Sequence, residues 1–462
     1  MYFLKTIIFY ALIICIICIS PIQTLAAEKP IAIFHAFDGQ YADIQKFVCE
    51  IGKQGYSHIQ IPPAQKSNPA PEWWARYQPV DYSIIEGRGS QEDLKQLINQ
   101  AHSCDVKVIA DVVFNHMANL DGGDDFEDLT KFPGLIVSEF NSDSNHLGKN
   151  PCSINYNDGN RNSEINCWLG GLPDLIFTSN VKTIHKVYLK NLLDLGIDGF
   201  RFDAAKHIPE DIVKEYISYV EQQSQGKAWN YLEVIVDSDT SAENYNWIAD
   251  ITDFTLYNSM KNAFSLGGDL RSLSVSAGIN DSRSVTFGRN HDTAREINFN
   301  AINSYSDPSD SFLATAFVLA RESGIPLILN LDNRNGYFIQ YGVKFRQIIH
   351  QRGNQGKNVK ENILSLIDSP SVLLMERGNE GFFLVNKGDN KLNIASLDLT
   401  LSNLDGCYRE LRNNFTVAIE RGDRQKKFIT RWGSWNRDGM EIEKRDALYF
   451  IREPFNQCQN NS

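Results

Sequence analysis

The sequence predicts an α/β fold: a (β/α)8 TIM barrel with an inserted domain after the third strand and a C-terminal all-β sandwich. Short apolar runs recur from residue 31 onward, each followed by a polar cluster and then a helix-like segment. That alternation breaks once, over residues 117–180, a stretch rich in Asn, Asp, Gly and Ser. So long a gap in a compact domain is a functional insertion rather than a slack loop. After about residue 370 the pattern turns to alternating short segments, the signature of a terminal β unit.

Taken in order, the barrel strands are expected at 31–34, 58–61, 106–114, 199–202, 231–236, 251–255, 284–287 and 326–330. The helix after the second run is the clearest: Ser90 and Asp93 form an N-terminal cap, and Leu94, Leu97 and Ile98 recur at helical spacing. A second is expected over residues 309–321, closed by Gly324 and Pro326. The terminal strands are read at 372–375, 381–385, 392–397 and 447–451. The domains are therefore expected at 28–116 (first barrel segment), 117–180 (insertion), 181–370 (second barrel segment) and 371–462 (terminal sandwich).

Residues 1–27 read as a cleaved signal peptide: Lys5, an apolar run at 7–19, then a small-residue stretch ending at Ala26 and Ala27. That run is too short to span a bilayer, so the chain is expected to be secreted, to the medium or the periplasm, and free of the membrane after cleavage. Two of the eight cysteines, Cys15 and Cys18, leave with the leader. The remaining six, Cys49, Cys104, Cys152, Cys167, Cys407 and Cys458, favour disulfides in an exported chain and lack zinc-like CxxC spacing. Six cysteines allow fifteen pairings. A net charge of −12 without a basic, aromatic-rich run argues against a nucleic-acid surface and for a neutral substrate. Nothing signals oligomerisation, and a monomer is expected.

In a parallel barrel the chemistry sits where strands end. The third run ends in Asp111-Val-Val-Phe-Asn115-His116, the fourth in Gly199-Phe-Arg201-Phe-Asp203-Ala-Ala-Lys206-His207, the fifth carries Tyr231-Leu-Glu233-Val-Ile, and the seventh ends in Asn290-His291-Asp292. Cleaving a glycosidic bond with retention needs a nucleophile and a proton donor roughly 5–5.5 Å apart. Adjacent strands place their ends roughly 4.8 Å apart, so Asp203 and Glu233 suit those roles. Arg201, two residues before Asp203 and on the same face, is expected to keep it ionised. Glu233 has no cation beside it in sequence, and two like-charged neighbours are expected to raise its pKa, as a general acid requires.

These four motifs, in order, resemble the four signature regions of the α-amylase family of glycoside hydrolases, and the resemblance runs over nearly the whole mature chain. Gly171 to Leu175 (GLPDL) is similar to a further signature near the end of that family's inserted domain. The resemblance implies a retaining enzyme with Asp203 as nucleophile, Glu233 as acid/base and Asp292 as stabiliser of the transition state. It implies that His116 and His291 bind sugar hydroxyls in the cleavage subsite, with Arg201 among the substrate-binding residues and Lys206 and His207 further along. The segment from Trp73 to Tyr82 (WWARYQPVDY) resembles the animal-type enzymes, which implies a stacking wall of Trp73, Trp74 and Tyr77 with Gln78 as a polar partner. Starch or glycogen-type polysaccharide, cut internally at α-1,4 bonds, is the implied substrate.

The same resemblance implies pairing of Cys49 with Cys104 and Cys152 with Cys167, leaving Cys407 with Cys458. It implies structural calcium held by the side chains of Asn115 and Asp174 and the carbonyls of His207 and, less firmly, Ile165, all hard oxygen donors. One departure bears on chloride. Arg201 and Asn290 match two ligands of the animal-type chloride site, but Leu327 stands where a second arginine is usual, so chloride dependence is expected to be weak or absent. The residues after Asp292 also lack that group's Gly-rich loop, and Arg289 replaces its aspartate. Exo-acting, α-1,6-specific or transglycosylating siblings share all three carboxylates. A non-catalytic glucan-binding protein is disfavoured because all three are present.

Overall fold

The computed structural model describes residues 27–120, 131–157, 159–274, 278–279, 281–299, 301–302, 304–364, 369–394, 397, 399–421, 426–429 and 441–458. The leader, with Cys15 and Cys18, lies outside the described residues.

Eight parallel strands close in sequence order into a barrel: β1 (Ile33–His35), β2 (His58–Ile61), β3 (Lys107–Val113), β4 (Gly199–Asp203), β5 (Trp229–Leu232), β6 (Asp250–Thr252), β7 (Ser284–Thr286) and β8 (Ile325–Leu329). Their side chains are almost all buried, because helices cover the outside and side chains fill the inside. Most strands coincide with the apolar runs. The fifth does not: β5 ends at Leu232, and Val234 continues outside the ladder, its N–H held by the Thr252 hydroxyl at 2.9 Å. The sixth is likewise shorter than expected, since Asp253 leaves the strand to cap the next helix through Leu256 N–H (2.8 Å).

The enclosing helices are α1 (Tyr41–Gln54), α2 (Gln91–His102), α3 (Ser179–Leu195), α4 (Glu210–Ser224), α5 (Phe254–Phe264), α6 (Pro308–Ala320) and α7 (Ile339–Asn354). Helix α2 carries the expected capping box: the Ser90 hydroxyl accepts from Asp93 N–H at 3.2 Å and the Asp93 carboxylate accepts from Ser90 N–H at 2.9 Å. Its Leu94, Leu97, Ile98 and Ala101 face the barrel. Helix α6 starts one residue earlier than the periodicity implied, because Asp307 caps it and Pro308 needs no N–H partner there.

Between β3 and α3 the chain leaves the barrel and returns at Thr178, which caps α3. The excursion is pinned at its neck by an antiparallel bridge of His116 with Asp174, with Leu175 N–H donating to the Asn115 carbonyl at 2.9 Å.

Beyond residue 360 a seven-stranded antiparallel sheet forms, in order β9 (Glu361–Leu364), β10 (Val372–Arg377), β11 (Gly381–Asn386), β17 (Asp446–Glu453), β13 (Gly406–Glu410), β14 (Thr416–Arg421), β15 (Lys426–Ile429). A two-stranded sheet, β12 (Leu392–Asn393) with β16 (Glu441–Ile442), lies against it. Strand periodicity divides the work. Leu373, Met375, Phe383, Val385 and Tyr449 pack on the barrel, whereas Val372, Leu374, Phe382, Leu384 and Phe450 form the terminal unit's own core with Ile394 and Ile442. Three disulfides join Cys49 to Cys104, Cys152 to Cys167 and Cys407 to Cys458, the pairing the sequence resemblance implied.

Candidate active site

Arg201 forms the floor of the site. It points into the barrel from β4, and one buried guanidinium holds three carboxylates: Asp111 (Nη1 at 2.9 and 2.8 Å from its oxygens), Asp203 (2.6 Å) and Glu233 (Nη2 at 2.6 Å). The geometry follows from register. Arg201 pairs with Asp111 on β3 and with Tyr231 on β5, so Glu233, two residues beyond Tyr231, comes within reach of the long side chain. The other Glu233 oxygen accepts the Ala204 N–H at 2.9 Å. That N–H is aimed by Ala204, which adopts a left-handed backbone (φ 47°) at the end of β4.

This arrangement corrects two expectations drawn from sequence. Glu233 does have a cation beside it, supplied from the neighbouring strand. Asp203 is not held ionised by Arg201: burial pushes its carboxyl well above the usual carboxylate range, Glu233, Asp111 and Asp292 push the same way, and Arg201 pulls back. Asp111 is pushed by burial to about 6 and Asp292, by burial and Glu233, to about 8. Glu233 and Asp292 lie within hydrogen-bonding reach of each other, and the raised carboxyls of Asp111, Asp203 and Asp292 titrate as one set rather than singly.

Asp292 follows β7 and is carried by a tight turn, in which the Asn290 side-chain oxygen accepts the N–H groups of Asp292 (3.1 Å) and Thr293 (3.0 Å). His291 lies between two rings, Phe37 (centroids 4.8 Å apart) and Tyr77 (5.3 Å), with its Nε2 3.4 Å from Asp292. Burial, with His35 and Arg201 nearby, pushes its pKa well below normal, so it is a neutral imidazole. His116 is also neutral, lowered by burial to about 4, and its Nε2–H donates to the Tyr77 carbonyl at 3.0 Å. Tyr77 in turn donates to Asp111 at 3.1 Å.

Above this floor opens a cleft of about 590 Å³. Trp73, Trp74, Tyr77, Gln78, His116, Lys206, His207 and His291 all line it together with Asp203, Glu233 and Asp292. Arg201, expected among the substrate-binding residues, is instead absent from the lining, its guanidinium taken up by Asp111, Asp203 and Glu233. The two tryptophans differ: Trp73 packs against Phe37, while Trp74 is 41% exposed and free to stack. Sequence reasoning missed Tyr156, Ile235, Asp237 and Ile302 in the cleft wall. Lys206 sits over the Tyr156 ring (4.5 Å to its centroid) and pairs with Asp237. Ile235, two residues past Glu233, could have been found by the same-face rule; Tyr156 lies in an irregular loop that offers no such signal.

The residues implied for calcium meet at the neck of the insertion. Asn115 Oδ1 and Asp174 Oδ1 are buried acceptors without a hydrogen-bond partner, an arrangement that costs free energy unless a cation satisfies it. The Asn115 amide is 3.4 Å from His116 Nδ1, and Asn141 donates to the second Asp174 oxygen at 2.6 Å, so each side chain is held by its other polar atom. His207 Nδ1–H donates to the Glu164 carbonyl at 2.8 Å, which brings His207 beside Ile165. Two oxygen side chains and peptide carbonyls suit a hard cation. Among the described residues no group of three or more His, Cys, Asp and Glu could hold a metal. Leu327 is a buried β8 residue beside Ile33.

The α-amylase catalytic-domain family model matches residues 51–252. An α-amylase-related protein of Drosophila varians is 30% identical over 353 residues, 69% of this chain and 69% of that protein. An α-amylase of Thermomonospora curvata is 30% identical over 331 residues, 67% of this chain and 53% of that protein, so the matched part spans about half of it. A mutant α-amylase I of Eisenia fetida, solved with maltohexaose, shares the fold with a TM-score of 0.72 at 19% identity, over 93% of this chain and 99% of that one.

Proposed function

The chain belongs to the α-amylase family of glycoside hydrolases, and from that premise we propose that it is a secreted, retaining, endo-acting α-1,4-glucan hydrolase using Asp203, Glu233 and Asp292. The observation that carries the reading is the convergence of these three carboxylates, around one arginine, on a cleft walled by Trp73, Trp74 and Tyr77. Both Asp203 and Glu233 rest on the terminal nitrogens of the same guanidinium, which supports the short separation of a retaining pair, roughly 5–5.5 Å.

In the first step an Asp203 oxygen bonds to the anomeric carbon as the bond to the leaving oxygen breaks, and Glu233 gives that oxygen its proton. In the second, water bonds to the anomeric carbon, Glu233 takes the water proton and the Asp203 ester is released. Substrate entering the cleft displaces the apo pairing of Glu233 with Asp292, leaving Asp292 to face the positive charge of the transition state. The neutral imidazole of His291 can donate to a sugar hydroxyl without adding charge to the cluster, whereas the single N–H of neutral His116 is held by the Tyr77 carbonyl.

Lining residues on both sides of Glu233, the tryptophan wall on one and Tyr156, Lys206 and Asp237 on the other, support binding in the middle of a chain. Three disulfides, and the absence among the described residues of a helix able to cross a membrane, suit an exported protein. Calcium, held by Asn115, Asp174 and the carbonyls of His207 and Ile165, would supply a fixed charge tying the insertion to the barrel. Chloride is not needed to balance Arg201, which three carboxylates already occupy, and Leu327 stands where the animal-type enzymes carry a second arginine.

Hydrolysis of soluble starch and of an α-1,4 oligosaccharide blocked at its non-reducing end tests the reading. Cleavage of both supports it. Stalling on the blocked substrate indicates an exo-enzyme, glucosyl transfer to a second chain indicates a transglycosylase, and no reaction with any α-glucan contradicts it.

A further inference from the structure

The segment closed by the Cys152–Cys167 disulfide carries Tyr156 into the cleft, and it is stitched to two barrel loops by polar contacts centred on one cation. Toward the loop after β5, Ser238 donates to the Tyr156 carbonyl (2.8 Å), Gly159 N–H donates to Asp239 (3.2 Å), and Arg161 Nε–H donates to Thr240 (3.0 Å), whose hydroxyl donates to Glu164 (2.6 Å). Toward the loop after β4, Arg161 Nη2 donates to the Lys206 carbonyl (2.7 Å) and Nη1 pairs with Glu210, while Nη2 also donates to the Tyr245 hydroxyl further along the loop after β5. The guanidinium also lies 5.2 Å from the Tyr245 ring centroid. Arg161 therefore reaches two barrel loops from the insertion, and they carry Lys206 and Asp237, the pair that flanks Glu233 on the Tyr156 side.

We propose that Arg161 is a positioning residue for the side of the cleft that holds the leaving portion of the glucan. It fixes the Lys206 backbone, and through the disulfide-closed segment the Tyr156 ring, against Glu233, by contacts that do not involve Asn115 or Asp174. The assignment of sides rests on the proposed role of Glu233 as proton donor to the leaving oxygen, since Tyr156, Ile235 and Asp237 cluster on its strand extension. A planar, permanently charged fork suits this task, because one group can hold a carbonyl, a carboxylate and two hydroxyls from different loops.

The test compares wild type, Arg161→Gln, Arg161→Lys and Glu210→Gln on two substrates. One is an α-1,4 maltoheptaose, which occupies both sides of the cleft. The other is an aryl oligoglucoside whose aromatic leaving group makes no use of sugar contacts on the Tyr156 side. Arg161→Gln is expected to lower kcat/KM for maltoheptaose about tenfold, mainly through KM, to shift the bond cleaved, and to leave the aryl substrate within about twofold. Arg161→Lys and Glu210→Gln should fall between. Under chelation the wild-type segment should stay protected from limited proteolysis, whereas in Arg161→Gln it should be cut. Equal losses on both substrates, or an unchanged maltoheptaose cleavage pattern in a folded Arg161→Gln variant, would overturn the proposal. Wild type inactive on both substrates would instead refute the glucan-hydrolase reading itself.

Discussion

At the scale of single residues, the account turns on how one arginine is shared. Asp203, Glu233 and Asp292 were legible in the sequence because each follows a strand run in barrel order. The distribution of charge was not, because Arg201 reaches across β4 to Asp111 and Glu233 through side-chain length and strand register rather than sequence proximity. A pH profile of kcat/KM reads the consequence. With Asp203 raised by burial and like charges, protonation should remove the nucleophile as pH falls, at values above the ordinary carboxylate range. With Asp292 at about 8, the cluster's last proton should leave above neutrality, and activity should decline there. Asp111→Asn deletes a negative charge and frees Arg201 for Asp203; both effects lower the Asp203 pKa, so the acid limb should move to lower pH. An acid limb that stays in place, or moves up, would contradict this electrostatic reading. Chloride titration checks another residue, Leu327: less than about twofold change in activity is expected, and many-fold activation by millimolar salt would restore an anion site.

At the scale of elements, alternation and capping located the barrel, α2 and four of the terminal strands. The strands at Glu361–Leu364, Gly406–Glu410, Thr416–Arg421, Lys426–Ile429 and Glu441–Ile442 were not read, so the terminal sheet begins earlier than the boundary expected at 371. The ends of β5 and β6 were not visible, because Val234 leaves the ladder for Thr252, a partner distant in sequence, and Asp253 leaves it to cap the helix that follows through Leu256. Tyr156 was missed for a related reason: its place in the cleft comes from Ser238 and the Cys152–Cys167 closure, which no periodicity encodes. One glycine is an element-level requirement. A Cβ at Gly199, where β4 begins, would lie 1.8 Å from the Trp229 carbonyl oxygen on β5. Gly199→Ala should therefore force the two strands apart and destabilise the barrel by about 3 kcal/mol, read from the denaturant midpoint. A shift well under 1 kcal/mol would mean that this strand pair is not as close as described.

At the scale of the whole molecule, the contacts that join the insertion, the barrel and the terminal sheets include the neck at Asn115 and Asp174, the Arg161 seam, Lys387 donating to the Ala263 carbonyl at 2.7 Å, and Tyr449 donating to the Ala316 carbonyl at 3.1 Å. If calcium satisfies the orphaned oxygens at the neck, chelation should lower the thermal midpoint, and added calcium but not magnesium should restore it. Asp174→Asn should abolish that response; a midpoint insensitive to chelation would argue that the neck needs no ion. The central claim is that Asp203 and Glu233 carry out a double displacement on an α-glucan. Proton NMR of the newly formed reducing ends during the first minutes of maltoheptaose hydrolysis tests it most directly. Retention predicts that the α-anomer appears first and later equilibrates; initial release of the β-anomer would contradict the mechanism.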